Sequence, residues 1–316
     1  MIDILIARAA RGSRAPHGDA ARVALAVEGG AMRGVVSAGM VSALEYLGLT
    51  HAFDAVYGSS AGAINGAYFL AGQAALGTTI YSEDINNRRF IDMRRPLVGR
   101  PIVSLEFLIN DVARRLKPLD TTRVLAATSP LTVMATDVQA AMRAPLRDFA
   151  DGDALLTALR AGATMPVLAG SPVAYAGRTY LDASLTEPIP VPMAEADGFT
   201  HILVLLTRPV EAPRRTTMLD RWFVLPRLRR LSPALASLYA NRSGPYGALL
   251  DSIAAGRGPT GRAHVLGLRP APPEVSRLER DARVLRAAAA QGFDAVLAAF
   301  GGGPAGTPRT SRPTGR

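Results

Sequence analysis

Apolar residues fall along this chain in two rhythms. VALAV (23–27), followed by Glu28 and paired glycines, is a short unbroken apolar run, as a strand buried on both faces requires. Between 34 and 48 the period lengthens. Val36, Met40, Leu44 and Leu47 stand four, four and three apart, which predicts a helix that Gly48 can stop. FDAVYG (53–58) predicts a second strand, and a second helix from near Ala61 puts Ile64, Tyr68 and Ala71 on one face. Strand, loop, helix, strand, turn and helix make a βαβα unit, the building block of a parallel sheet with helices packed on it. LTVMATDV (131–138) and HILVLLT (201–207) predict central strands and HVLGL (264–268) a further one; DALLTALRAGATMP (153–166) predicts a helix ended by Pro166.

The same pattern divides the chain. Residues 1–21 read as a flexible leader, 22–210 as the main α/β domain, 211–300 as a helical extension rich in alanine, leucine and arginine, and 301–316 as a disordered tail. With 316 residues, 48% of them hydrophobic, the chain can bury a large core. The absence of cysteine excludes disulfides, thiolate catalysis and cysteine-ligated metal. No apolar run reaches the roughly 18 residues of a spanning helix, and the N-terminus lacks the pattern of a signal peptide. The expectation is a soluble, cytoplasmic protein. A net charge of +10, mostly arginine, suits anionic partners, but no nucleic-acid motif accompanies it. The sequence carries no reading of oligomeric state.

Three stretches carry chemistry. GSSAG fits G-x-S-x-G with Ser60 at the centre, between an expected strand and an expected helix. Gly58 and Gly62 there allow a sharp reversal and close backbone approach, and the helix that starts at Ser60 favours developing negative charge on its oxygen. EGGAMRG (28–34) follows the first strand, and is either a simple glycine turn or a loop whose Gly29 and Gly30 amides bind an oxyanion or a phosphate. It matches neither a Walker loop nor G-x-G-x-x-G. Arg33 could attract an anionic head group or brace the loop beside Gly34. In GRTYLDASLTEPIPV (177–191), Asp182 ends a short strand and is either a turn former or a positioned carboxylate.

Together these stretches resemble the patatin-like phospholipases, which carry a G-G-x-x-R-G oxyanion loop, a G-x-S-x-G nucleophile turn and an aspartate in D-G-[GA]. Here the first is GGAMRG (29–34), the second is GSSAG with Ser60, and RAGATMPVL (160–168) is similar to the family's alanine–small–proline block. The resemblance spans about residues 23–193; RSGPY (242–246) and SRLERD (276–281) extend it less distinctly into a group of bacterial members. It implies a three-layer α/β/α sandwich around a mostly parallel sheet, and a serine lipid acyl hydrolase working through a Ser60–Asp182 dyad without cofactor or metal. Ser60 would attack an ester carbonyl, Asp182 would take its proton, and Gly29, Gly30 and Ala31 would hold the oxyanion. An unperturbed aspartate is a weak base at neutral pH, so the dyad needs a site that excludes water. The chain departs from the pattern at Asp182-Ala183-Ser184: a first glycine that needed a conformation closed to alanine would leave the aspartate displaced.

Two rival readings stand beside this one. His201 or His264 could formally complete a Ser–Asp–His triad acting on small esters, although both open apolar runs, where strands begin rather than end. His17 and His51 precede the acid in the chain. Alternatively the protein binds lipid with little or no turnover. RRTTMLDRWFVLPRLRR (214–230) sets Trp222 and Phe223 among arginines, with Pro226 interrupting any long helix; this suits packing on the core or a peripheral contact with anionic membrane. RRFIDMRRPLVGR (88–100) is similarly basic and reads as a solvated loop or lid.

Overall fold

The computed structural model describes residues 1–166, 168–209, 218 and 220–301; the expected tail beyond 301, and residues 211–217 and 219 of the expected extension with part of its 214–230 stretch, lie outside them. Helix α1 (Ile2–Ala10) precedes strand β1 (Val23–Val27), and α2 (Val35–Tyr46), β2 (Ala55–Ser59) and α3 (Ala61–Leu70) complete the βαβα unit. Helices α4 (Ala74–Glu83) and α5 (Thr121–Leu125) lead to β3 (Leu131–Asp137), which turns back into β4 (Met142–Leu146). Then come α6 (Gly152–Ala163), β5 (Val173–Tyr175), β6 (Arg178–Asp182), α7 (Val191–Ala196) and β7 (His201–Leu205). The last part holds α8 (Leu225–Leu231), α9 (Pro233–Asn241), α10 (Ser243–Ala254), β8 (His264–Leu268) and α11 (Ala282–Phe300).

The strands form one mixed sheet in the order β5-β6-β3-β2-β1-β7-β8, with β4 also on β3. Strands β3, β2, β1, β7 and β8 are parallel, whereas β4 and β6 run antiparallel to β3. Alternate residues of the central strands point to opposite layers, as the pleat requires. Leu25, Val56, Val133, Leu203 and Leu205 face α2, α3, α6 and α11. Ala24, Ala26, Tyr57, Ile202 and Val204 face α7 and α10. The result is a three-layer α/β/α sandwich. A third apolar cluster seats α8 and α9, through Leu228, Leu235 and Tyr239, on Leu181 and Leu185 beside the end of β6.

The structure adds to the sequence reading in three places. Residues 1–21 are not simply a flexible leader, because α1 docks on the core through Arg8, whose side chain is fully buried. All five of its N–H groups find acceptors: both carboxylate oxygens of Asp19, the carboxylate of Asp54 and the carbonyls of Ala21 and Ala52. Asp54 in turn accepts from the Val23 amide at 2.7 Å, so this knot fixes the start of β1. Within the expected extension at 211–300, β8 pairs with β7 and α11 packs on α2, both inside the sandwich. The sequence reading also lacked β4, an exposed strand with Pro145 inside it, and β5, which is only three residues long; neither carries an apolar run.

Candidate active site

Ser60 stands where β2 passes into α3. Its backbone has φ 54° and ψ −127°, a sparsely populated region for a residue with a side chain. The strain lies on the serine itself: neither Gly58 nor Gly62 has positive φ. Those glycines answer to close approach instead. A Cβ on Gly58 would collide with the backbone of Ala63, and one on Gly62 with the carbonyl oxygen of Val27. The turn is thus pressed against the end of β1, and the serine hydroxyl projects from the C-terminal edge of the sheet.

Sheet register brings the aspartate there. Positions 133–137 of β3 pair with β4, which therefore occupies one edge of β3; β2 and β6 share the other. Along that edge β2 ends with Ser59 opposite Met134, and β6, arriving from the opposite direction, ends with Asp182 opposite Ala135. Two strand ends meet head to head, and residues 122 positions apart come into contact. Ser60 Oγ donates to Asp182 Oδ2 at 2.7 Å, and the Ser184 amide donates to Oδ1 at 2.7 Å. The Asp182 backbone is pinned as well: its amide donates to Thr164 O at 2.9 Å and its carbonyl accepts from Thr136 Oγ1 at 2.9 Å. Ser60 is 9% exposed and Asp182 4%, so the pair sits in a nearly dry environment. Ala183 begins a short 3₁₀ turn without positive φ and is fully buried in apolar company. This turn therefore does not require glycine at that position.

The glycine loop approaches the same point. A Cβ on Gly29 would stand 2.7 Å from the Ser60 Cβ and inside the envelope of the Ser59 carbonyl oxygen. The amides of Gly29 and Gly30 donate to no protein acceptor among the described residues, and Ala31 holds φ 53° at the start of a 3₁₀ turn. Two buried clusters, absent from the sequence reading, brace this loop. Glu28 accepts from the Thr207 amide at 2.7 Å, Thr207 Oγ1 at 3.0 Å and Tyr246 Oη at 2.8 Å, and Thr207 Oγ1 also bonds the Gly29 carbonyl at 3.0 Å. On the other side Asn65 Nδ2 donates to the Gly34 carbonyl at 2.8 Å, and Tyr81 Oη donates to Asn65 Oδ1 at 3.0 Å. Burial raises the Tyr81 pKa and keeps the phenol neutral. One available signal was Glu28 itself, a carboxylate directly following an all-apolar strand.

Two concavities meet at Ser60 and Asp182. One is an apolar cavity of about 180 Å³ walled by Ile64, Ile80, Ile85, Phe90, Leu105 and Leu108. The other opens past Ser184, Tyr239, Arg242 and Arg277 and includes Gly29, Gly30 and Arg33. Arg33 is buried and ion-paired with Glu274, which also accepts from Arg208 Nε at 3.1 Å. That contact, with the Arg33 amide bonded to Gly30 O at 3.2 Å, makes it a brace of the loop.

The four histidines lie elsewhere. His201 and His264 stack at 5.4 Å on the starting ends of β7 and β8, the sheet edge opposite Ser60. His17 contacts the Phe53 carbonyl, just before β2, and His51 precedes that strand too. None lines either concavity. Among the described residues no group of three or more His, Asp or Glu side chains is placed to hold a metal ion, and no helix is long and apolar enough to cross a membrane.

A three-layer α/β/α sandwich with a serine at a strained strand-to-helix turn on its sheet edge defines the class of fold. The chain belongs to the patatin-like phospholipase family, whose model matches residues 25–195. The uncharacterized protein YjjU of Escherichia coli (strain K12) is 28% identical over 206 residues, which cover 64% of this chain and 57% of its own. The chain thus spans a little over half the length of that curated relative. Among solved structures, VipD from Legionella pneumophila aligns over 89% of this chain and 67% of its own, at 11% identity and a TM-score of 0.43.

Proposed function

We propose that the protein hydrolyses fatty-acyl esters, phospholipids or related lipids, through a Ser60–Asp182 dyad. The observation that carries this reading is the 2.7 Å bond from Ser60 Oγ to a buried carboxylate, with no histidine near it. Asp182 Oδ2 takes the hydroxyl proton as Oγ bonds to the ester carbonyl carbon, and the carbonyl oxygen gathers the negative charge. The unclaimed amides of Gly29 and Gly30, with that of Ala31, stabilise that oxygen. As the tetrahedral adduct collapses, the C–O bond to the leaving alcohol breaks and Asp182 returns its proton to that oxygen. Water then attacks the acyl-serine by the same route, its proton passing to Asp182 and on to Ser60. The acyl chain occupies the apolar cavity, and the alcohol portion faces the mouth lined by Arg242 and Arg277.

The position of Ala183 supports turnover over passive lipid binding, and the position of the histidines supports a dyad over a triad. Free fatty acid release from phosphatidylglycerol and phosphatidylcholine in mixed micelles, read by mass spectrometry, tests the substrate class. Release by wild type and not by Ser60→Ala is expected. Hydrolysis confined to short soluble esters would overturn the lipid assignment. Gly29→Ala is expected to lower the rate on the order of 100-fold, because its methyl group displaces the loop from Ser60 by about 1 Å. A kcat within about threefold of wild type would show that the loop amides do not hold the oxyanion.

A further inference from the structure

Residues 88–100, expected as a solvated loop or lid, form a largely exposed loop that is internally braced. An isolated bridge joins Ile91 to Val103, and the Asp92 amide donates to Ile102 O at 2.9 Å. Arg95 turns inward and ties the segment together, donating to the carbonyls of Arg88, Arg89, Phe90 and Ile102 at 2.6–3.4 Å. A 3₁₀ turn (Arg95–Val98) and a left-handed Gly99 then reverse the chain. This braced framework holds apolar side chains out into water: Leu97 is 87% exposed, Val98 71% and Met93 62%. Exposed arginines 88, 94 and 100 flank them along the chain, while Arg89 lies over the Phe107 ring.

Contiguous apolar side chains held outward on a built turn mark a contact surface. The flanking arginines select an anionic one, and the base of the turn says which kind. Phe90 and Val103, directly beneath the tip, wall the apolar cavity that opens onto Ser60. We propose that the 93–98 turn is a docking tip for an anionic lipid surface, its apolar side chains entering the acyl region while the arginines lie at head-group level. Docking there sets the apolar cavity beside the bilayer from which an acyl chain would enter. That second statement rests on the acyl-hydrolase reading; the docking does not.

The test uses the full chain carrying Ser60→Ala, so that binding is read without turnover, and vesicles of phosphatidylcholine with or without phosphatidylglycerol. Co-sedimentation with the phosphatidylglycerol vesicles, falling as salt rises, is expected. Leu97→Glu with Val98→Glu is expected to weaken it at least tenfold at an unchanged melting temperature. Arg94→Gln and Arg100→Gln are each expected to weaken it about fivefold and to flatten its salt dependence. Undiminished binding by the Leu97→Glu/Val98→Glu chain would overturn the proposal, as would failure of the parent chain to bind phosphatidylglycerol vesicles, which would leave the tip to an acidic protein surface. Vesicle binding without ester hydrolysis by the wild type would instead sink the catalytic reading and leave the docking tip standing.

Discussion

Ser60→Ala is expected to lose at least about 10⁴-fold in the initial rate of p-nitrophenyl ester hydrolysis, since a dyad has no second nucleophile to fall back on. Its melting temperature should match the wild type, because among the described residues the small side chain bonds only Asp182. Asp182→Asn is the sharper variant. It is isosteric, so the amides and hydroxyls that hold the aspartate keep a partner of the same shape. It can still hydrogen-bond Ser60 but cannot take its proton, and removal of a general base costs about 10²–10⁴-fold. His264→Ala and His201→Ala should leave the rate within about twofold, as both rings stand on the far edge of the sheet. A large loss with either histidine variant, or a rate near wild type for Asp182→Asn, would sink the dyad.

The second large effect concerns stability. Arg8→Met is expected to destabilise the fold by about 3–5 kcal/mol, the usual cost of removing one partner from a buried ion-paired network. Asp54 would remain beside the start of β1 without its guanidinium, and the carbonyls of Ala21 and Ala52 would lose their donor. Urea unfolding followed by far-UV circular dichroism measures it. A loss below about 1 kcal/mol would mean that α1 is marginal to the sandwich after all. The same knot sets an acid limit. The hydrogen bond from Arg8 holds the Asp19 carboxyl at about 2, below the usual aspartate value. A depressed carboxyl contributes its full stability above the unfolded-state value near 3.9 and loses it as pH falls toward 2. Wild type should therefore lose more stability between about pH 4 and pH 2 than Asp19→Asn does.

Much of the half that carries Ser60 was legible because its signals are local. A buried strand, paired glycines and a serine between strand and helix each occupy a few consecutive residues, and their order along the chain is what the family resemblance rests on. The elements missed were those whose reason is distant. Arg8 reads as one more arginine in a flexible leader until Asp19 and Asp54 are seen to converge on it. Glu28, Thr207 and Tyr246 form one brace from three places up to 218 residues apart. Ala183 looked like a defect only because the conformation of its turn is invisible in sequence. Trp222 and Phe223 are exposed, while Val224 and Leu228 beside them are buried, so the segment both packs on the core and faces solvent. At 88–100, composition conveyed the charge but not the inward turn of Arg95 that props up the apolar tip.

The most direct measurement of the central claim is covalent labelling of the wild-type chain by a fluorophosphonate, with intact mass and peptide mapping. The account predicts a single adduct located on Ser60, absent from Ser60→Ala, strongly slowed in Asp182→Asn and unchanged in His264→Ala. A folded wild type that takes no label, or an adduct on any other residue, would contradict it.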